Sequence, residues 1–210
     1  MNNVIRMCFF LSIATTSALA ARVAYPDDRL FINASLGYLS GTAQEFVYDS
    51  DTGQKISQLN WRMQGNLIFK AEGSYPLSSW LDATLHGWIN LAQNNALMDD
   101  YDWLDPTQKH WTDWSHHPDT DLRQANEVDV SLKGWFLQKT NYRLAAMLGY
   151  QRSLYSFLAR RGCYWYDNGS NVGCFPPDEG GIGYKQTFAM PYLGFVGAYR
   201  LHLFEMHSQL

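Results

Sequence analysis

The sequence predicts an all-β protein whose antiparallel strands form a transmembrane β-barrel, and three observations support this fold class. Apolar and polar residues alternate with a period of two along much of the chain, for example at 127–133. The predicted strands are much longer than the ~5–6 residues usual in soluble sheets. Short and long connections alternate, as they do between the two ends of a membrane barrel. A soluble β-sandwich, which shares the alternation, is the alternative.

The first twenty residues predict a cleaved export signal. Arg6 precedes a short apolar run, and Ala18-Leu19-Ala20 has the small-x-small pattern of a signal-peptidase site. The run is shorter than the roughly 18 residues that a membrane-spanning helix needs. We therefore expect residues 1–20 to be removed and residues 21–210 to form the β-structure. A buried N-terminal helix is the alternative interpretation.

Six long strands are predicted in the mature chain, and a seventh begins near Phe204. Short turns separate some of them, whereas the connections at 98–120 and 161–181 are long. Aromatic side chains are expected to form girdles at the two membrane interfaces, namely Tyr38, Tyr75, Trp80, Trp88, Trp135, Tyr142 and Tyr192. The six strands are predicted at about 29–48, 54–74, 80–97, 121–138, 142–160 and 182–200.

The charge balance argues against nucleic acid as a partner. Without Arg6, the mature chain has 15 basic and 20 acidic residues and a net charge of −5. Binding to phosphates needs basic patches, which this composition does not favour.

Two cysteines remain after removal of the signal, Cys163 and Cys174. In an exported chain such a pair permits a disulfide, and the turn residues between them allow the segment to fold back as a hairpin. Two free thiols are the alternative, since connectivity cannot be read from sequence.

The segment 98–121 is acidic and rich in tryptophan, with seven aspartates. Because unpaired buried charge is costly, we expect this segment to be a solvated loop. Asp100 and Asp102 would point the same way in an extended chain, and their repulsion would push their two proton affinities apart, which makes them candidates for acid/base chemistry. An acidic loop without chemistry is the alternative.

A metal site is not predicted, although His116 and His117 lie close to Asp113 in the sequence. Adjacent histidines of an extended chain point to opposite faces, and no recognised zinc spacing follows them. We also expect no covalent acyl-enzyme, because the sequence places no base to activate Ser115.

The segment Trp111-Thr112-Asp113-x-Ser115-x-His117-Pro118-Asp119-Thr120 resembles a signature of the omptin family, outer-membrane endopeptidases of Gram-negative bacteria. Further matching segments extend from about Ile32 to Arg200, among them Leu39-Ser40-Gly41 and Lys133-Gly134-Trp135. The resemblance implies an omptin-type barrel of ten antiparallel strands, of which six to seven are represented here. It also implies contact with outer-membrane lipid and an active site at the extracellular rim.

The family resemblance implies cleavage of cationic peptides or proteins beside basic residues. Two carboxylates on one wall and an Asp-His pair on the other hold and activate a water. Asp100 and Asp102 match the two carboxylates, and Glu45 matches an acid that binds the substrate's basic side chain. Asp113 and His117 match the signature and are interpreted as loop-ordering residues that support the site.

Two departures from the family pattern give an alternative hypothesis. The family's Asp-His pair follows a strand that begins near Phe204, so residues 1–210 are expected to lack it and to form a truncated, inactive remnant or a surface adhesin. The family's lipopolysaccharide cluster is also weakened: Tyr150 matches it, but Arg152 replaces an acid, and Leu154 and Thr187 replace arginines. No cofactor is predicted beyond lipopolysaccharide as an activator.

Overall fold

A computed structural model describes the backbone of residues 12–24, 30–93, 96–176, 181–201 and 204–209. Side chains are described for residues 30–93, 96–176 and 181–199. Within these ranges no helix has the length and apolar character needed to cross a membrane.

Eleven antiparallel strands form one sheet in the described part of the chain, with the path β1-β2-β3-β4-β6-β7-β10-β11. Three strands lie outside this path: β5 pairs with β3 and β6, β8 pairs with β6 and β9, and β9 pairs with β8. The strands are β1 (Ser12–Ala24), β2 (Phe31–Tyr48), β3 (Lys55–Pro76), β4 (Leu81–Asn90), β5 (Ala96–Asp102), β6 (Asp113–Gln138), β7 (Tyr142–Arg160), β8 (Cys163–Tyr166), β9 (Asn171–Cys174), β10 (Ile182–Leu201) and β11 (Phe204–Gln209).

β1 covers part of the predicted export signal. Ser12–Ala24 pairs antiparallel with β2, from Ser12 opposite Thr42 to Ala24 opposite Phe31. This is the pairing of the uncleaved chain, so it does not test cleavage after Ala20, which stays a prediction. The remaining residues of the signal, 1–11, lie outside the described residues.

β4 and β5 lie in line as two segments of one barrel strand. β3 pairs with β4 through residues 68–76 and with β5 through residues 57–63, and β6 pairs with both in the same way. The strand predicted at 80–97 is therefore corrected: it is interrupted after Asn90 and then continues to Asp102.

The prediction of a solvated loop over 98–120 is wrong for most of that segment. β5 extends to Asp102 and β6 starts at Asp113, so only residues 103–112 connect the two strands. Asp99 is 4% exposed and avoids the cost of unpaired burial, because Arg62 and His116 bind its carboxylate at 3.3 and 2.7 Å.

The connection over 161–181 contains the hairpin β8–β9. After a break at Arg161 and Gly162, both with positive φ, β8 continues the line of β7 along β6. β9 folds back on β8 through the turn Asp167–Gly169. Cys163 and Cys174 face each other in the hairpin and are joined by a disulfide.

Exposed apolar side chains concentrate near the short turns. Leu132, Leu148 and Leu193 are neighbours across β6, β7 and β10, and all three are exposed. One residue further along, the opposite face carries Ser131 and Tyr192. An apolar outer face with a polar inner face is the pattern of a barrel in lipid.

Three of the predicted girdle aromatics point inward instead. Trp88 and Trp135 are buried, and the Trp135 indole donates to Asp82 at 2.5 Å. The Tyr192 hydroxyl donates to Asp129 at 2.9 Å, inside an open cavity of about 470 Å³. Alternation along a strand decides which way each ring points, but the sequence alone did not show whether the face that carries these three residues is the inner or the outer one.

The sheet curls around an aromatic core. Trp61 on β3 stacks on Phe157 of β7 and on Tyr184 of β10, with ring centroids 5.2 and 5.3 Å apart. β3 and β10 are not neighbours in the sheet, so this contact requires strong curvature. The inner face therefore encloses a core, and Asp100 and Asp102 of β5 lie on the same inner face, nearer the long connections.

Candidate active site

Asp100 and Asp102 lie at alternate positions of β5 and share one side of the strand. Ser57 on β3 is directly opposite Asp102, and its hydroxyl donates to Asp100 Oδ1 at 3.2 Å. Asp102, directly opposite Ser57, lies close enough for the same hydroxyl to lower its pKa. Both carboxylates thus lie beside one donor.

The pair lies well outside the membrane-spanning part of the barrel. Asp100 is level with Leu59, and the 17 residues from Leu59 to Pro76 at the turn extend ~56 Å at about 3.3 Å per residue. A strand tilt of roughly 40° reduces this to ~43 Å, which exceeds the ~25 Å apolar band of a barrel.

Burial raises the pKa of Asp100 to about 7. The charge of Asp102 adds to the rise and the hydrogen bond from Ser57 opposes it, while Glu45 contributes further. Burial also raises the pKa of Asp102, again opposed by Ser57. Near neutral pH the Asp100 carboxyl can therefore both hold and release a proton, which suits general acid/base work.

Glu45 is half-buried on β2 and lies in the same cross-strand row as this pair. It faces Leu59, which in turn faces Asp100, so the two acids are about 10 Å apart at ~4.8 Å per strand. Burial raises the pKa of the Glu45 carboxyl. The structure thus brings together the three residues that the sequence placed at the centre of the site.

Asp113 stands directly opposite Asp102 at the start of β6. Its carboxylate accepts from the Thr112 hydroxyl at 2.6 Å and from the backbone N–H of Asp167 at 3.2 Å. We call Glu45, Asp100, Asp102 and Asp113 the acid wall. Like charges facing each other across a ladder are destabilising, so their clustering here points to a functional site.

His117 lies four residues after Asp113 on β6 and contacts the residues that flank the hairpin β8–β9. Its Nδ1 is hydrogen-bonded to the carbonyl oxygen of Arg161, and its ring stacks on Phe175 at 5.3 Å. Burial lowers the pKa of the His117 imidazole. The sequence placed Asp113 and His117 in a loop, but both lie on β6. Each has one partner in the connection after β7, Asp167 for Asp113 and Arg161 for His117.

The expectation that Ser115 has no base near it is wrong. His117 Nε2 lies 3.1 Å from Ser115 Oγ. Both residues are buried, with exposures of 4% and 5%, so an extended substrate cannot approach the serine directly. The pair is better suited to holding β6 in place than to nucleophilic attack.

Two residues at the site escaped sequence reasoning, Ser57 and Tyr166. Ser57 is 43 residues from Asp100 in the chain, and only the register of β3 against β5 brings them together. Tyr166 lies at the end of β8, where burial raises the pKa of its phenol and the charges of Asp100 and Asp102 add to the rise. No sequence motif marks either position.

The other predicted site residues lie elsewhere. Tyr150 is half exposed on the outer face, between Val130 and Pro191 of the neighbouring strands. In the ranges whose side chains are described, no group of three histidine, cysteine or acidic side chains is arranged to hold a metal ion.

Comparison with known proteins identifies relatives of this arrangement. Residues 26–210 match the model of the Omptin family. The chain is 44% identical over 181 residues to the plasminogen activator of Yersinia pestis, covering 86% of this chain and 58% of that protein. It is 42% identical over 201 residues to protease 7 of Escherichia coli strain K12, covering 93% and 62%.

A solved structure agrees with these matches. The crystal structure of outer membrane protease OmpT from Escherichia coli superimposes with a TM-score of 0.83 at 41% identity, over 89% of this chain and 65% of that one. The chain spans about six-tenths of the length of the curated relatives it matches. Because the family model covers residues 26–210, and the fold is that of an outer-membrane β-barrel protease, the chain belongs to the omptin family.

Proposed function

We propose that this chain supplies the acid wall of an omptin-type endopeptidase that acts at the outer surface of a Gram-negative outer membrane. One observation carries the proposal: the partly buried carboxyls of Asp100 and Asp102 lie beside the Ser57 hydroxyl, and the pKa of Asp100 is raised to about 7. The names of the relatives, protease 7 and plasminogen activator among them, support the reaction class.

The proposed chemistry is hydrolysis by an activated water. The coupled carboxylates accept hydrogen bonds from a water and orient it toward the scissile carbonyl. By family resemblance, a facing Asp-His pair removes the proton from that water as its oxygen attacks the carbonyl carbon. No covalent enzyme intermediate is required, which agrees with the burial of Ser115.

The proposed substrates are cationic peptides or proteins. The acid wall presents four carboxylates on one face of the cleft, and its field attracts positive charge. Glu45, about 10 Å from Asp100 by strand spacing, is at a suitable distance to bind the basic side chain beside the scissile bond.

The proposed lipid partner is the outer membrane itself, which contacts the apolar outer face near the short turns. We propose lipopolysaccharide as a weak activator only. Tyr150 is exposed on the outer face, but Arg152, Leu154 and Thr187 depart from the family's cluster. No metal or other cofactor is proposed.

A cleavage assay tests the proposal. The assay uses the protein with the facing Asp-His pair in place, because that pair accepts the proton of the water and is not assigned to residues 1–210. The protein is folded in detergent micelles with lipopolysaccharide and incubated with a fluorogenic peptide that contains two adjacent arginines. We expect cleavage, and we expect Asp102→Asn to lower kcat/KM by about 100-fold or more, because it removes one of the carboxylates that orient the water.

The matched control is Asp51→Asn, which removes one negative charge from the exposed turn between β2 and β3. It should leave kcat/KM within about twofold of the wild type. A folded chain that cleaves nothing would contradict the proposal and favour the inactive remnant or adhesin.

A further inference from the structure

The hairpin β8–β9 brings a phenol to the acid wall. β8 pairs with β6 from His116 opposite Cys163 to Trp114 opposite Trp165, which puts Tyr164 opposite Ser115. Tyr166, the next residue on that face, lies beside Asp113 and two strand positions from Asp102. Glu45 and Tyr166 therefore flank the Asp100–Asp102 pair from opposite sides.

Several contacts fix the position of this phenol. The Tyr166 ring stacks on Tyr164 at 4.6 Å, and Tyr164 packs on Phe175 at 5.1 Å. Two backbone donors hold the turn after Tyr166 against the start of β6: the N–H of Asp167 binds the Asp113 carboxylate, and the N–H of Asn168 binds the carbonyl of Thr112, the residue before β6, at 2.9 Å.

The disulfide closes the same hairpin from its base. Cys163 and Cys174 face each other where β8 and β9 begin and end, three residues from Tyr166. The hairpin is thus held at its tip by β6 and at its base by a covalent bond. Such a support limits the positions that the phenol can take.

The phenol is also the available neutral donor at this site. The Ser57 hydroxyl already serves Asp100, and the Thr112 hydroxyl serves Asp113. Tyr166 lies near Ser115, whose hydroxyl is hydrogen-bonded to His117 Nε2 at 3.1 Å. The phenol can therefore turn toward a substrate without leaving a carboxylate unpaired.

The nearby cations are engaged elsewhere. Arg62 pairs with Asp99 at 3.3 Å on the outer face, and the Lys55 ammonium lies 3.6 Å over the Trp103 ring. During peptide hydrolysis negative charge develops on the carbonyl oxygen. Ionised carboxylates cannot stabilise that charge, so the site needs a neutral hydrogen-bond donor. Burial, and then the charges of Asp100 and Asp102, raise the pKa of the Tyr166 phenol, so its proton stays on the oxygen.

We propose that Tyr166 is a further catalytic residue, whose phenol donates a hydrogen bond to the carbonyl oxygen of the scissile peptide. As water oxygen bonds to the carbonyl carbon, the carbonyl π pair moves to its oxygen, and the phenol stabilises that charge while keeping its proton. The inference rests on the proposed hydrolytic function and adds a role to the same site.

The test compares Tyr166→Phe with Tyr164→Phe in the protein used for the cleavage assay. Both substitutions remove one hydroxyl from the same stack and the same face, but Tyr166 lies beside Asp113 of the acid wall whereas Tyr164 lies beside Ser115. We expect Tyr166→Phe to lower kcat by about 100-fold with KM within about twofold, the signature of a bond made in the transition state. Tyr164→Phe should change kcat by less than about threefold. Equal effects of the two substitutions would overturn the proposal.

A second measurement does not depend on cleavage. Ultraviolet absorbance follows the ionisation of the tyrosines as pH rises, with and without Asp102→Asn. Because the charge of Asp102 raises the pKa of Tyr166, Asp102→Asn should lower the pKa of one tyrosine, and this change should vanish in Tyr166→Phe. If no variant cleaves but the change is seen, the hydrolytic function fails while the placement of Tyr166 at the acid wall stands. If the change is absent, the role of Tyr166 fails whatever the activity.

Discussion

At the scale of single residues, the acid wall is an arrangement that costs stability. Asp102 faces Asp113 directly across the ladder, and Asp100 lies two positions away on the same side. Like charges at these positions repel, and burial adds to the cost. Ser57 offsets part of it by donating to the pair. A cluster that folding alone would disfavour is best explained by its chemistry.

Substituting Asp100 should reveal this cost through pH. The pKa of Asp100 is raised to about 7 in the folded chain, so its protonated form favours the folded state. This contribution to the free energy of unfolding is fully present below about pH 4, near the ordinary pKa of an aspartate, and is lost as the pH rises through 7. We expect Asp100→Asn to unfold at a higher temperature than the wild type at pH 8, with little difference at pH 4. Thermal unfolding followed by circular dichroism measures this.

Asp51→Asn is the control for the lost charge, since Asp51 lies on an exposed turn. A difference between Asp100→Asn and the wild type that is the same at both pH values would contradict the raised pKa. The comparison needs no substrate, so it tests the electrostatics of the acid wall separately from cleavage.

Sequence reasoning identified the residues whose partners are close in the chain. Asp100 and Asp102 could be predicted to face one way, because alternation is a local property of an extended strand. The burial of Asp99 could not, because it depends on Arg62 from another strand. Ser57 and Tyr166 were missed for the same reason. Strand register decides which distant residues become neighbours, and the local sequence of one strand does not determine that register.

At the scale of elements, alternation predicted strands well where one face meets lipid. The strand predicted at 142–160 is confirmed as β7, Tyr142–Arg160. The alternation pattern failed to predict strands over 98–120, where β5 and β6 extend beyond the apolar belt and carry polar residues on both faces. A strand with two polar faces has the composition of a loop, so its period-two signal disappears.

The packing of β7 on β10 gives a prediction at this scale. A Cβ on Gly149 would lie 2.2 Å from the Tyr192 ring, whose hydroxyl binds Asp129. We expect Gly149→Ala to destabilise the barrel by ~1–3 kcal/mol, because the ring must move and leave the Asp129 carboxylate without its donor. Urea unfolding followed by tryptophan fluorescence measures the loss.

Gly183→Ala on β10 is the matched control, since a Cβ there meets nothing within 4 Å. It should leave the unfolding midpoint nearly unchanged. Equal midpoints for the two alanine variants would show that the packing of the Tyr192 ring does not require the space left by the missing Cβ of Gly149.

At the scale of the whole molecule, the chain separates two solvents along one set of strands. β3 carries exposed Phe69 and Tyr75 near its turn and Ser57 of the candidate site near its other end. The apolar outer face anchors the sheet in lipid, and the same strands carry the acid wall into water. The long strands therefore do two jobs: they span the membrane and they set the height of the cleft.

The charge of that cleft gives the last prediction. A cationic substrate approaching the acid wall is attracted over several ångströms, and salt screens this attraction as the Debye length falls from ~30 Å at 0.01 M to ~3 Å at 1 M. We expect kcat/KM for an arginine peptide with basic flanking residues to fall about tenfold or more across that range. The same peptide with acidic flanking residues should show a smaller fall or a rise. Glu45→Gln should flatten the salt dependence of the basic peptide, because it removes one charge from the wall, whereas Asp51→Asn should leave it unchanged. An equal salt dependence for both peptides would mean that the acid wall does not steer its substrate.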